Sequence, residues 1–174
     1  MSNLFITGEI GIGKTTIINK IIDKLNCSVG GYSTDREIVN GKKIFTAKSL
    51  LDDTERCIFA KIHMANGHKE IYEDSFRYGI ISILEKSLSK TDVIILDELG
   101  FMEDNIIQFT SYVHSLLDSD RFILGVLKKH DCQFISSIRS RKDVLVVDVN
   151  KDNRDSILDE LLSMIKSYGV PFKE

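Results

Sequence analysis

The sequence predicts an α/β fold: a mostly parallel sheet with helices on both faces and a β-hairpin insertion. Three observations carry that expectation. Short, continuously apolar runs (LFIT, VIILDE, RFILGVL, VLVVDV) alternate with amphipathic stretches of helical period. Strands that are apolar on both sides belong to a parallel sheet covered by helices on both faces. Asn40-Gly41 lies between two β-rich runs, and this dipeptide is the strongest short-range hairpin signal. Finally, 174 residues with 43% hydrophobic and 28% charged content fit one domain spanning residues 1–174, long enough to bury a sheet-centred core.

Each element has its own signal. Leu4 to Thr7 is the first strand, and Thr15 to Leu25 a helix, because Ile17, Ile18, Ile21, Ile22 and Leu25 share one face. Cys27 to Ser33, IVNGKKIFTA and ERCIFAKIHM form a β-rich stretch. Phe76, Ile80, Leu84 and Leu88 recur at every fourth position, which makes Asp74 to Leu88 a one-faced helix. Val93 to Glu98 is a strand ending in two acids. Ile106, Thr110, Val113 and Leu117 mark the next helix, RFILGVL the next strand, and Gln133 to Arg141 a shorter helix. Val144 to Val149 is the last strand. Ile157, Leu158, Leu161, Leu162 and Ile165 define a closing helix, with its cap expected near Asp152 or Asn153. Right-handed crossovers bring the C-terminal ends of the parallel strands to one edge, where ligands bind in such sheets.

Composition removes several function classes. A net charge of -3 gives no general attraction to nucleic acid or an anionic membrane. No run approaches the roughly 18 apolar residues of a membrane span, and MSNLFITGEI lacks the charged start and cleavage site of a secretory signal. The expected compartment is the cytoplasm. Cys27, Cys57 and Cys132 are far apart and lack C-x-x-C spacing, so they read as buried thiols. His63 and His68 flank an expected glycine turn in HMANGH, and His114 and His130 have no partner at ligand spacing, so zinc is not expected.

GEIGIGKTT, Gly8 to Thr16, joins the first strand to the first helix. Gly8, four residues, then Gly13, Lys14 and Thr15 is the G-x-x-x-x-G-K-[ST] phosphate-binding loop, in the strand–loop–helix context that the motif requires. Glycines allow a loop to wrap an anion with its N–H groups inward. Gly8, Glu9, Ile10, Gly11, Ile12, Gly13, Lys14, Thr15 and Thr16 are therefore the candidate triphosphate site. Lys14, at the positive end of the helix dipole, reaches the β- and γ-phosphates. Its ammonium is expected to face solvent when no ligand is bound. Thr15 offers its hydroxyl to Mg²⁺, and Thr16 is within reach of the α-phosphate.

Asp97 and Glu98 end VIILDE, at the edge where the glycine loop must lie. A hydrophobic strand ending in Asp is the Walker B pattern, whose carboxylate orders Mg²⁺. Strand alternation turns Glu98 to the side opposite Asp97, where it polarises the attacking water. Thr15 and Asp97 are thus the candidate metal ligands, and Lys14 and Glu98 the candidate catalytic residues.

GEIGIGKTT, GGYSTDRE near residue 30, ILDELGFME at 95–103 and VNKDNRDSI at 149–157 together resemble the THEP1-type nucleoside-triphosphatases, over most of the chain. The resemblance implies a RecA-like P-loop NTPase fold with an extra strand between the two Walker motifs. It also implies Mg²⁺-dependent hydrolysis of ATP, GTP and other nucleoside triphosphates, and a supporting role for Glu103 under the loop from Asp97 to Met102. Asp35, Arg36 and Glu37, and then Lys43, Ile44 and Phe45, depart from the family pattern in the hairpin.

Hydrolysis calls for positive charge on the γ-phosphate beyond Lys14. Lys128 follows a strand at the appropriate edge; Arg139, Arg141 and Lys142 lie in or after the next helix, and Arg154 before the last one. Two other readings of the loop remain open at this point. A nucleoside or nucleotide kinase would need an acceptor pocket and an arginine-bearing lid, for which Arg36, Arg56 and Arg77 are scattered candidates. A nucleotide-controlled interaction switch would need a partner surface, for which FMEDNIIQF is the candidate. Asp97 followed by Glu98 favours water as the acceptor.

Overall fold

The structure, a computed structural model, describes residues 3–173. The chain begins with β1 (Asn3–Gly8) and α1 (Lys14–Ile22). Next come β2 (Val29–Val39), β3 (Lys42–Ser49), β4 (Arg56–His63) and β5 (Lys69–Ile71). A wide π-helical segment, Ser75–Ile80, leads into α2 (Ile81–Lys90), so the apolar row from Phe76 to Leu88 spans both. Then follow β6 (Val93–Leu99), α3 (Ile107–Leu117), β7 (Phe122–Leu127), α4 (Gln133–Arg139), β8 (Val144–Val149) and α5 (Ile157–Ser167).

All these strands join one sheet in the order β5-β4-β3-β2-β6-β7-β1-β8. The five strands β2-β6-β7-β1-β8 run parallel. Their order puts β7 between β1 and β6, the extra strand that the resemblance implied between the glycine loop and the acidic strand end. β1 and β7 are buried along their whole lengths, which is why their sequences carry no polar alternation. One face packs α1 and α5 against Leu4, Ile6, Ile95 and Leu124. The other packs α2, α3 and α4 against Phe5, Ile94, Leu96 and Ile123.

β3, β4 and β5 extend the sheet beyond β2 as an antiparallel wing. Asn40 (φ 49) and Gly41 (φ 72) form the hairpin turn at its tip. Two successive left-handed residues give a turn whose twist matches the strands it joins. The wing is larger than the sequence predicts, because β5 is only three residues long and carries no periodic signal. α5 also departs from expectation. It starts at Ile157, while the Asn153 side chain accepts from the Asn150 N–H and donates to the Asp148 carbonyl, holding the preceding loop instead of capping the helix. Cys27, Cys57 and Cys132 are half-buried rather than buried. Among the described residues, no helix is long and apolar enough to cross a membrane.

Candidate functional site

β1 ends at Gly8, which lies so close to β8 that a Cβ there would sit 2.2 Å from the Val149 carbonyl oxygen. Gly13, with φ 104, turns the chain into α1. Between them the backbone curls around the Lys14 side chain. Its ammonium donates to the carbonyls of Gly8 at 2.7 Å and Glu9 at 2.9 Å, and the residue is only 8% exposed. The expectation of a solvent-facing lysine is therefore corrected. The loop carbonyls, close at hand on the curled backbone, supply the hydrogen bonds that a buried ammonium requires. Burial holds its pKa below the ordinary lysine value, opposed by the nearby Glu98 charge.

Asp97 approaches the loop from β6. Its Oδ1 lies 3.4 Å from the Thr15 hydroxyl, which donates to it, and the residue is 3% exposed. Burial first, and the Glu98 charge second, push its pKa up to about 6. A buried carboxylate beside a threonine hydroxyl, with no cationic side chain bonded to it among the described residues, is an oxygen donor pair of the kind a hard divalent cation takes.

Glu98 also faces the loop. It lines the same cleft as Gly8, Glu9, Ile10, Gly11, Gly13, Lys14, Thr15 and Thr16. The ladder between β6 and β7 is interrupted between Leu96 and Leu99, so simple pleat alternation fails at the point where it would send Glu98 away from Asp97. Within the glycine loop Ile12 is the exception, packed against the core cluster on the α1 face of the sheet.

The β2 strand supplies residues whose place the sequence did not disclose. Ser33 pairs with Asp97 in the sheet, which brings Thr34 alongside the two acids. The Thr34 hydroxyl donates to the Asp97 carbonyl at 2.5 Å and accepts from the Glu98 N–H at 3.2 Å. It fixes the backbone from which both carboxylates project. Arg36, two residues on, places its guanidinium 2.7 Å from Glu98 Oε1, and Lys128, just past β7, approaches the same oxygen at 3.3 Å. The available signal was GGYSTDRE itself, but the spacing alone does not say what it faces.

The other sequence candidates separate cleanly. Arg139 reaches the Thr7 hydroxyl at 3.3 Å, underneath the loop. Arg141 is tied to Asp118 and Asp143. Neither lines the cleft, nor do Lys142, Arg154, Arg56 or Arg77. Buried Glu103 accepts from the Gly100 N–H, which secures the turn after β6, and burial pushes its carboxyl up to about 7. The cleft encloses about 580 Å³ and continues past Glu98 onto Phe45, Ile62, Phe101 and Met102.

Comparison with known proteins agrees with this arrangement. A family model described as NTPase matches residues 3–162, from β1 into α5. The nucleoside-triphosphatase THEP1 of Thermotoga maritima is 33% identical over 168 residues, covering 94% of this chain and 95% of that protein. A mouse protein described as a cancer-related nucleoside-triphosphatase homolog is 29% identical over 184 residues, with 95% and 97% covered. The crystal structure of THEP1 from Aquifex aeolicus superposes with a TM-score of 0.77 at 26% identity, covering 94% of this chain and 99% of that one. The match runs along nearly the whole chain, and the chain belongs to the NTPase family of THEP1-type proteins.

Proposed function

We propose that this protein hydrolyses nucleoside triphosphates to diphosphate and phosphate, with Mg²⁺ as cofactor and with Gly8 to Thr16 as the triphosphate cradle. The observation that carries the reading is that Lys14, Thr15 and Glu98 line one cleft while buried Asp97 accepts from the Thr15 hydroxyl behind it. Backbone N–H groups of the loop and the start of α1 meet the phosphate oxygens. Lys14 then exchanges the Gly8 and Glu9 carbonyls for the β- and γ-phosphates, where its charge follows the negative charge that develops on the leaving diphosphate. Thr15 and Asp97 would hold Mg²⁺. When bound, the ion would supply positive charge that offsets the charge of the phosphates.

Glu98 accepts a proton from the attacking water as the water oxygen bonds to the γ-phosphorus. The bond to the β,γ-bridging oxygen breaks, and its electron pair leaves with the diphosphate. Thr34 positions this base through the Asp97–Glu98 backbone. The family relatives named as nucleoside-triphosphatases support the same reaction.

The test is phosphate release from ATP and GTP with Mg²⁺ and with a chelator, for the parent and Lys14→Ala. The chelator abolishes release, and Lys14→Ala lowers it by about 10²-fold or more. Because Lys14 is buried, thermal unfolding of the variant is measured alongside. Parent-rate turnover by a folded Lys14→Ala protein would remove the loop assignment.

A further inference from the structure

Glu98 carries one negative charge and is met by two cations. Arg36 and Lys128 both reach its Oε1, at 2.7 and 3.3 Å, from segments far apart in sequence. Their positions are built by packing. Each charged group lies 5.8 Å from the centre of the Phe45 ring, and the Lys128 ammonium also lies 5.2 Å from Phe101. Gly100 makes room for the lysine stem, since a Cβ there would come within 2.6 Å of Lys128 Cδ. Arg36 and Lys128 line the cleft together with Lys14 and Thr15. The group therefore carries surplus positive charge toward the space that the glycine loop opens, and its one anion is the residue assigned to take the proton.

We propose that Arg36 and Lys128 are the catalytic cations for the γ-phosphate, and that they release Glu98 only when a triphosphate replaces it as their partner. This inference rests on the hydrolytic reading above. A γ-phosphate with about two negative charges attracts the pair more strongly than one carboxylate does at similar distance. Arg36 suits the task because its planar fork can bond two phosphoryl oxygens at once. Once the cations move to the phosphate, the Glu98 carboxylate is released from both ion pairs and is free to meet the attacking water. In this structure the same carboxylate is held by both cations. Substrate binding and activation of the base become one event.

The experiment is a double-mutant cycle read by two measurements: affinity for the Mg²⁺ complex of a non-hydrolysable ATP analogue, and single-turnover hydrolysis of ATP. Glu98→Gln removes the anion that competes for the cations, so its analogue affinity rises by about three- to thirtyfold. That gain disappears when Arg36→Ala and Lys128→Ala are added. Arg36→Ala alone lowers hydrolysis by about 10²- to 10³-fold and loses trapping by MgADP with fluoroaluminate, while MgADP affinity stays within about threefold. Arg36→Lys restores little, because the charge returns without the fork. Arg77→Ala, off the cleft, keeps the parent rate.

The proposal is overturned if Arg36→Ala and Lys128→Ala hydrolyse at the parent rate while Glu98→Gln is inactive, a result that leaves the hydrolytic assignment standing. It is equally overturned if the affinity gain of Glu98→Gln survives loss of both cations. If Glu98→Gln itself turns over at the parent rate, the base assignment and this inference fall together.

Discussion

Asp97 and Glu98 share a peptide bond but have different surroundings. Asp97 is buried against the Thr15 hydroxyl, with its carboxyl raised toward neutrality; Glu98 is met by Arg36 and Lys128. Their substitutions should therefore differ in kind. Glu98→Gln keeps nucleotide binding while single-turnover hydrolysis falls by roughly 10²-fold or more. Asp97→Asn weakens binding in the presence of Mg²⁺ as well, because its carboxylate is assigned to the metal. Equal metal-dependent affinities in the two variants would contradict that division. Glu103 allows a separate test of burial. Its carboxyl is raised from 4.5 to about 7, so the folded state prefers the protonated form. Its contribution to stability is complete below about 4.5 and is lost as the pH rises through about 7. Glu103→Gln, neutral at every pH, should match the parent at pH 4.5 and exceed it in melting temperature at pH 8. A constant difference across that range would show that the carboxyl is not buried as described.

At the scale of elements, two glycines with positive φ do different jobs. Gly8 joins β1 to the phosphate loop against the Val149 carbonyl, whereas a Cβ at Gly41 would point into open space. Gly8→Ala should lower both stability and nucleotide affinity, because β1 and β8 must separate to admit the methyl. Gly41→Ala should cost about 1 kcal/mol through its left-handed turn alone, with affinity unchanged. Urea unfolding and nucleotide titration of both proteins would check this, and a Gly8→Ala variant with parent affinity would contradict it. The sequence disclosed what is local. The glycine loop, the apolar parallel strands and the Asn40-Gly41 turn each carry their signal within a few residues. Thr34 and Arg36 could not be placed the same way, because their roles come from the pairing of Ser33 with Asp97, a long-range register that spacing does not encode. Lys14 departs from expectation for a related reason: the loop backbone, not solvent, supplies its partners. The direction of Glu98 depended on an interrupted ladder that residue types do not reveal.

The whole molecule is a RecA-like sheet extended by an antiparallel wing, and the cleft lies where loop, acidic strand end and wing meet. None of the residues lining it comes from the β8–α5 connection, where Asn150 and Asn153 spend their side chains on the loop itself. The proposed phosphate cradle is thus lined by specific groups, while no side chain in that connection lines the cleft to read a base edge. Several nucleoside triphosphates should be hydrolysed with kcat/KM values within about tenfold of one another, a spread of about 1.4 kcal/mol. The most direct test of the account is phosphate released per nucleotide consumed, measured over ATP, GTP, CTP and UTP with and without added nucleosides and nucleoside monophosphates. The account predicts one phosphate per triphosphate in every case, at rates that the added acceptors leave unchanged. Nucleotide consumed without free phosphate, with the phosphoryl group recovered on an acceptor, would contradict it and identify a kinase instead.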